Sequence, residues 1–216
     1  MHNFEIIGKI PNHHELFNWC EAQFNDGQPI GNSYSNLVYR ADDRWFNWKS
    51  NLQGITPDKR GLYLHRITKS PGDNRLNDLG NKLLPGFHSA LLRRYRPPLK
   101  HKGTSLVGGY IKWHADHGIF EGWLAMVNIG APGQLLLAAT KDQSPFSEQR
   151  YYQKIDLKPG HAICFNSKYA HRSLSAQSVR YSLTFRKFKP GWEKWIPGSD
   201  FLLKVSPGTQ QTNITP

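Results

Sequence analysis

The chain has 216 residues, of which 38% are hydrophobic, a length that suits one domain with a sizeable core. It has no apolar run long enough to cross a bilayer, and its first residues lack the basic start and long apolar stretch of a signal peptide. Cys20 and Cys164 are far apart in sequence, which argues against a disulfide framework or a zinc knuckle. We therefore expect a cytoplasmic protein.

The charge is strongly positive, with 28 Lys and Arg residues against 16 Asp and Glu residues and a formal net charge of +12. A basic surface favours a polyanion such as nucleic acid, although charge governs steering and association rather than identity. A solvated basic surface without such a partner is the alternative interpretation.

The first part of the chain predicts two helices. Residues 11–24 place apolar side chains at helical spacing after Asn12, a candidate N-cap. A second helix is predicted near residues 73–84. The intervening stretch 34–51 is aromatic and irregular, and it predicts neither a helix nor a strand.

From residue 88 the sequence changes to short apolar runs bounded by Gly or Pro. Many short strands separated by turn residues are typical of a sandwich or jelly roll. The final residues 204–216 are expected to form a flexible tail. The predicted strands are 89–95, 105–114, 122–130, 133–140, 150–157, 161–166 and 179–188.

The stretch "YIKWHADHGIF" (110–120) places His114 and Asp116 two positions apart at the end of an apolar run. Residues i and i+2 of a strand point to the same face, so both side chains can approach one point. His171 is the best candidate for a third ligand because it lies between two predicted strands. Two histidines and one carboxylate suit non-haem Fe(II). The alternative is two polar loop residues and an unrelated histidine.

The stretch 179–188 alternates between apolar and polar residues with a period of two. One face packs into the protein, and the other carries Arg180 and Arg186, whose Cα atoms lie about 20 Å apart at roughly 3.3 Å per residue. Each long side chain covers about a third of that distance, which leaves room for a small dicarboxylate in the middle. One carboxylate would face each guanidinium, because arginine is suited to bidentate carboxylate binding. The alternative is an exposed edge strand with basic residues in water.

Four segments in this order resemble the motifs of the AlkB-like family of Fe(II)- and 2-oxoglutarate-dependent dioxygenases. "LLRRYRP" (91–97) resembles the strand of the Asn-x-Tyr motif, and "HADHG" (114–118) matches His-x-Asp. "LKPGHAICFNSKYAHRS" (157–173) resembles the strand that leads to the distal histidine, and "RYSLTFR" (180–186) is very close to the Arg-x-Asn-x-Thr-Phe-Arg signature. The resemblance covers about residues 88–188.

The resemblance implies an α+β fold: a double-stranded β-helix (jelly-roll) core at 88–190, with N-terminal helices packed on the sheet. A helical N-terminal region with a substrate lid at 1–87 and this core would form one domain, 1–203. The implied cofactors are Fe(II), 2-oxoglutarate as cosubstrate and O2. By resemblance, His114, Asp116 and His171 would bind Fe(II), Tyr95, Arg180 and Ser182 would contact 2-oxoglutarate, and Arg186 would lie nearer its iron-chelating end.

The sequence also departs from the family pattern. Arg93 stands where the motif has its first asparagine, and Ser182 stands where the signature has another. The acidic residues that follow His-x-Asp in nucleic-acid repair members are absent. These departures are compatible with the iron chemistry, but they leave the substrate open.

For the substrate we expect oxidative demethylation of alkylated DNA or RNA, carried out by a monomer. Trp45 and Trp48 would stack on a base, and Arg96, Lys100 and Lys102 would contact phosphates. The alternatives are that these aromatic residues cap the core and that the basic loop is merely solvated. A hydroxylase of a peptide, a protein or a small metabolite is the second functional hypothesis. A catalytically inactive nucleic-acid binder is the third.

Overall fold

The computed structural model describes residues 3–25, 31–32, 37–52, 65–101, 104–141 and 151–196. Within these ranges the helices are α1 (His13–Asn25) and α2 (Asn74–Leu83), and a 3₁₀ turn covers Trp192–Trp195. The strands are β1 (Phe4–Lys9), β2 (Gly31–Asn32), β3 (Val38–Tyr39), β4 (Ala41–Phe46), β5 (Trp48–Leu52), β6 (His65–Lys69), β7 (Ser89–Tyr95), β8 (Leu99–His101), β9 (Thr104–Leu106), β10 (Tyr110–His114), β11 (Phe120–Gly130), β12 (Gly133–Ala138), β13 (Tyr152–Leu157), β14 (His161–Asn166), β15 (His171–Ser173) and β16 (Arg180–Phe188).

Two antiparallel sheets form the body of the described structure. The larger sheet has the strand order β1-β14-β11-β16-β7-β4-β2, and the smaller one has the order β13-β12-β15-β10-β3. Strands that are neighbours in a sheet are mostly distant in sequence, as expected when a chain winds back and forth between two facing sheets. This is the jelly-roll architecture that the sequence predicts. Two separate ribbons, β5–β6 and β8–β9, complete the strand pairing.

Both predicted helices pack on the outer face of the larger sheet. The odd positions of β16, which include Tyr181 and Phe185, share one buried cluster with Phe24 of α1 and Leu76 of α2. The α2 packing is close, because a β-carbon on Gly80 would lie only 2.7 Å from Cδ1 of Phe185. The alternation within β16 therefore separates a face that holds the helices from a face that looks toward the smaller sheet.

The space between the sheets holds a second apolar cluster. Alternate residues of β11, including Leu124 and Met126, contribute to it, and they meet apolar side chains of the smaller sheet such as Leu135 and Leu157. β11 is thus apolar on both faces, which explains why its residues 124–127 form a continuous hydrophobic run.

The N-terminal region, which we expected to be helical with an irregular lid, contains strands as well. β4 belongs to the larger sheet and pairs with β7, from Ala41 opposite Tyr95 to Phe46 opposite Ala90. Its sequence, ADDRWF, hides this strand because two buried positions are the charged residues Asp42 and Asp43. The alternation of apolar and polar residues that identifies a half-buried strand is therefore missing.

The predicted strand 105–114 is divided into β9 and β10 by two glycines. A β-carbon at Gly108 would lie 1.7 Å from the carbonyl oxygen of Ala176, and one at Gly109 would lie 2.5 Å from that of Arg40. Neighbouring backbone therefore approaches too closely for any other residue, and the strand is interrupted there. The predicted tail 204–216 lies outside the described residues. In the described part of the chain, neither helix has the length and apolar character needed to span a membrane.

Candidate metal and cosubstrate site

The three predicted metal ligands converge at one end of the space between the sheets. β10 pairs with β15 so that His114 stands opposite His171, and Asp116 follows β10 by two residues. Oδ1 of Asp116 lies 3.9 Å from Nε2 of His114 and 4.0 Å from Nε2 of His171. The possible ligand atoms of the three residues all lie within 4.8 Å of one another. Atoms this close can share a first-row metal ion with bonds of roughly 2 Å.

Backbone carbonyls orient both imidazole rings. Nδ1 of His114 lies 2.9 Å from the carbonyl oxygen of Lys112, and Nδ1 of His171 lies 2.9 Å from that of Tyr169. A carbonyl oxygen can only accept, so Nδ1 carries the proton in each ring and Nε2 keeps the lone pair that a metal needs. Burial, with His171 nearby, lowers the pKa of His114 to about 3, and burial also lowers the pKa of His171. Both rings are therefore neutral near pH 7.

Arg186 controls the charge and orientation of Asp116. Its Nε donates to Oδ2 of the carboxylate over 2.8 Å. Burial alone would raise the pKa of Asp116, but the lowering by Arg186 and the two histidines is larger. The net pKa is therefore well below the ordinary value. The carboxylate is thus ionised, and Oδ1 is the oxygen that faces the two histidines.

A pocket of about 470 Å³, counting its open mouth, leads from these ligands between the two sheets. Its polar wall comes from the face of β16 that the sequence predicts and from β7, which pairs with β16. The wall residues are Arg180, Ser182, Thr184 and Arg186 of β16 with Leu91, Arg93 and Tyr95 of β7.

Arg180 is buried in this pocket, with 1% of its surface exposed. Its Nη1 donates to Oδ1 of Asn128 over 3.3 Å, its Nη2 donates to Oγ of Ser173, and its guanidinium carbon lies 3.8 Å from the ring centre of Tyr95. A β-carbon on Gly133 would lie 2.7 Å from Cδ of Arg180, so only glycine leaves room for this side chain. The guanidinium is therefore fixed in one orientation.

Two buried guanidinium nitrogens in the pocket have no hydrogen-bond partner among the described residues: Nε of Arg180 and Nη1 of Arg186. A buried donor without a partner is costly, and such donors are uncommon in folded proteins. A ligand with a carboxylate at each end would supply acceptors to both arginines, which are six residues apart on β16. The donors thus fit 2-oxoglutarate, and the ligand set of two histidines and one aspartate fits Fe(II).

Tyr95 and Ser182, the other predicted cosubstrate contacts, also line the pocket. Tyr95 is buried, and burial alone would raise its pKa, but Arg180 and Arg93 lower it below the ordinary value. Arg93, which replaces the motif asparagine, donates to both carboxylate oxygens of Asp43 over 2.6 and 2.7 Å. An internal ion pair therefore accommodates this departure from the family pattern.

Trp45 and Trp48, two of the predicted substrate contacts, are not among the residues that line the pocket. Trp45 and Trp48 are partly buried against an aromatic cluster, where Trp48 meets Trp192 edge to face at 5.0 Å. Phe120 of the same cluster lies 5.5 Å from the guanidinium carbon of Arg186, so the cluster reaches the metal end of the pocket. The packing agrees with the alternative that these tryptophans cap the core.

The basic stretch after β7 is only partly described. Arg96 is about half exposed, and its guanidinium donates to Asp42 over 2.5 and 2.9 Å, which leaves it less free for a phosphate. Lys100 lies in β8, and Lys102 lies outside the described residues. The contribution of all three residues to substrate binding stays a prediction.

Several residues of the site carry no signal in the sequence. Asn128 and Ser173 hold Arg180, and Lys168 donates from Nζ to the backbone of the loop that carries Asp116. Burial lowers the pKa of this lysine to about 8. Asn128, Ser173 and Lys168 contact residues of other strands and loops, so only the folded structure identifies them as part of the site.

No protein-family model and no curated protein sequence matches the chain. Among solved structures, OsALKBH1 superposes with a TM-score of 0.55 and 12% identity, covering 87% of this chain and 99% of that one. A Pseudomonas putida prolyl-4-hydroxylase superposes with a TM-score of 0.51 and 16% identity, covering 87% of this chain and 94% of that one. A prolyl hydroxylase from Trichoplax adhaerens, in complex with a hypoxia inducible factor oxygen degradation domain peptide fragment, has a TM-score of 0.53 and 14% identity, covering 89% of this chain and 86% of that one.

Identities this low establish a common fold rather than a common substrate. The similarity extends over most of each chain. The chain therefore shares the double-stranded β-helix fold of OsALKBH1 and the two prolyl hydroxylases, which is the fold that its resemblance to the AlkB-like family predicts.

Proposed function

We propose that the protein is an Fe(II)- and 2-oxoglutarate-dependent dioxygenase that oxidatively demethylates alkylated nucleic acid. One observation carries the enzyme class. His114, Asp116 and His171 converge at one end of a pocket in which Arg180 is buried with an unpaired Nε. A metal ligand set and a carboxylate-binding cation in one pocket are what this reaction class requires.

Each residue of the pocket has a role in this proposal. His114, Asp116 and His171 hold the metal, and Arg186 keeps Asp116 ionised and oriented. Arg180 binds the distal carboxylate of 2-oxoglutarate, together with Tyr95 and Ser182 of the same wall. The bound iron supplies the oxidation of a substrate C–H bond by O2, while 2-oxoglutarate is converted to succinate and carbon dioxide.

The rest of the pocket separates this reaction from water. Apolar side chains of both sheets also line the pocket, including Leu124, Met126, Leu135 and Phe165. A dry wall strengthens the attraction between Arg180 and a carboxylate, because the local dielectric is low. It also excludes water that would compete for the ligand.

Two observations support nucleic acid as the substrate. The net charge is +12, and an aromatic cluster extends from Trp45 and Trp48 to the metal end. Oxidation of an N-methyl group is followed by loss of formaldehyde, so the product is the demethylated base. In this proposal Arg96, Lys100 and Lys102 contact the phosphate backbone.

Hydroxylation of a peptide, a protein or a small metabolite is the second candidate. Two of the similar structures are prolyl hydroxylases, and one of them holds a peptide fragment. The ion pair between Arg96 and Asp42 and the packing of Trp48 against Trp192 also reduce what these side chains offer to a nucleic acid.

The test is a substrate panel analysed by mass spectrometry. The protein is incubated with Fe(II), 2-oxoglutarate and O2, together with N-methylated oligonucleotides, peptides and metabolites. Loss of a methyl group from an oligonucleotide supports demethylation, whereas gain of one oxygen by a peptide or metabolite supports the second candidate. Succinate formation that is absent from His114→Ala supports the enzyme class. Absence of succinate with the wild-type protein would contradict it.

A further inference from the structure

Lys168 lies between β14 and β15, three residues before His171, and it reaches across to the loop that carries Asp116. Its Nζ donates to the carbonyl oxygen of Asp116 over 3.2 Å and to that of His117 over 2.5 Å. The backbone N–H of Asp116 donates to the carbonyl oxygen of Ser167 over 2.9 Å. The segment before the distal histidine thus contacts both the N–H and the carbonyl group of Asp116.

The segment that carries Lys168 is itself fixed without the lysine side chain. The N–H and the hydroxyl of Ser167 both donate to the carbonyl oxygen of Gly122 in β11, over 2.8 and 3.1 Å. The N–H of Lys168 donates to Oδ1 of Asn166 over 3.1 Å. Ser167 is buried. Loss of the lysine side chain would therefore remove the restraint on the carbonyl groups of Asp116 and His117 but leave this segment in place.

His117 and Gly118 are exposed, and a β-carbon at Gly118 would meet nothing within 4 Å. The carbonyl oxygen of His117 also accepts from the N–H of Phe120 over 3.2 Å. The ammonium group of Lys168 ties the Asp116–His117 peptide to the segment that leads to His171.

We propose that Lys168 is a positioning residue of the metal centre: it clamps the Asp116–His117 peptide to the segment that leads to His171, and so sets the separation between the carboxylate and the distal histidine. The inference rests on the proposed function, because it assumes that this site binds a metal. Residues that orient metal ligands from outside the coordination shell typically contribute about 10- to 100-fold to metal affinity.

Charge and clamping predict opposite results when Lys168 is neutralised. A cation beside the metal site repels a divalent ion, so if Lys168 acted only through its charge, its removal would strengthen metal binding. If it clamps the loop, its removal lets Asp116 move relative to His171 and weakens binding. The direction of the change therefore decides between the two roles.

The experiment measures Co(II) binding by the full chain, with visible absorption bands as the readout of ligand geometry. Lys168→Met keeps the length of the side chain but removes its charge and its donors. Lys168→Arg keeps the positive charge and the N–H donors and serves as the rescue variant. Lys154→Met, on the exposed side of β13, is the matched control. We expect about 10- to 100-fold weaker binding and altered bands for Lys168→Met only, with unchanged thermal unfolding of the metal-free protein.

Equal or tighter Co(II) binding by Lys168→Met would overturn the inference while leaving the proposed function intact. A wild-type protein that binds no Co(II) would overturn both. If Lys168→Met does not fold, Lys168→Gln takes its place, because its shorter neutral side chain cannot span the two carbonyls. Wild-type affinity in that variant would equally show that the clamp is not needed.

Discussion

Arg186 and Asp116 form a buried ion pair at the metal end of the pocket, with Nε 2.8 Å from Oδ2 and side chains that are 11% and 9% exposed. The pair joins the end of β16 to the His-x-Asp motif. It leaves Oδ1 as the oxygen that faces both histidines, so we expect Asp116 to bind a metal through one oxygen. Arg186 therefore belongs to the metal centre as well as to the cosubstrate pocket.

Arg186→Met is expected to destabilise the metal-free protein more than the metal-bound protein. Removing one partner of a buried ion pair leaves an uncompensated charge and costs about 3–5 kcal/mol. A divalent ion at Asp116 would replace much of the lost positive charge. Urea unfolding with and without Mn(II), compared with the wild type, measures both costs. Equal losses in the two conditions would show that the metal does not bind at this carboxylate.

Arg180→Ala is expected to raise the KM for 2-oxoglutarate. Loss of a charge-assisted bidentate contact from a buried site costs on the order of 2–4 kcal/mol, which corresponds to roughly 30- to 900-fold in KM. Steady-state kinetics at varied 2-oxoglutarate measures the effect, and thermal unfolding without 2-oxoglutarate reports any loss of packing around Tyr95. Unchanged turnover at limiting 2-oxoglutarate would show that the arginine is structural.

Gly133→Ala tests the orientation of Arg180 without removing its charge. The added methyl group would lie 2.7 Å from Cδ and 2.9 Å from Nε of Arg180, so the guanidinium must move. We expect about tenfold weaker 2-oxoglutarate binding, or roughly 1.4 kcal/mol. Gly72→Ala is the control, since the nearest atom to its methyl group, Oδ1 of Asn47, lies at 3.4 Å. Isothermal titration calorimetry of 2-oxoglutarate into the metal-loaded protein measures the affinity of both variants. Equal affinities in the two variants would contradict the proposed orientation.

Asp42→Asn is expected to destabilise the protein at neutral pH. The carboxylate accepts from Arg94 and Arg96, and although burial raises its pKa, these two arginines lower it below the ordinary value. A depressed folded-state pKa means that the ionised carboxylate stabilises the fold above its ordinary pKa of about 4, and that this contribution disappears as the pH falls through the folded-state pKa.

We expect a cost of about 1–3 kcal/mol at pH 7, since both arginines are partly exposed and solvent screens the pair. Urea unfolding of wild type and Asp42→Asn between pH 7 and pH 3 measures it. The difference in unfolding free energy should shrink below pH 4. A difference that is constant over this range would show that the stabilisation does not come from the ionised carboxylate.

Lys100→Glu combined with Lys102→Glu is expected to weaken oligonucleotide binding and to flatten its dependence on salt. Each phosphate contact that is lost lowers the slope of log K against log salt by about 0.7–0.9. Fluorescence anisotropy over a salt series measures this, with Lys154→Glu on β13 as the control. Negligible binding of the wild type at about 50 mM salt would contradict the nucleic-acid proposal and favour a peptide or metabolite.

The sequence alone identified those parts of the site that depend on local spacing. His114 and Asp116 are two residues apart at a strand end, and the alternation over 179–188 separated the arginines from the apolar face. Both follow from the two-residue period of a β-strand, which any single stretch of sequence displays. Most strand positions after residue 88 were predictable for the same reason, and the two helices were predictable from local sequence signals such as the helical spacing of apolar side chains.

Only the tertiary structure decided which distant residues complete the site. The pairing of β10 with β15 places His171 opposite His114, and Lys168 reaches Asp116 across two loops. β4 escaped prediction because Asp42 and Asp43 occupy its buried positions, where arginines of β7 neutralise them. Ion pairs and strand registers of this kind depend on which strands become neighbours, and that choice is made by the packing of the whole chain rather than by any local stretch.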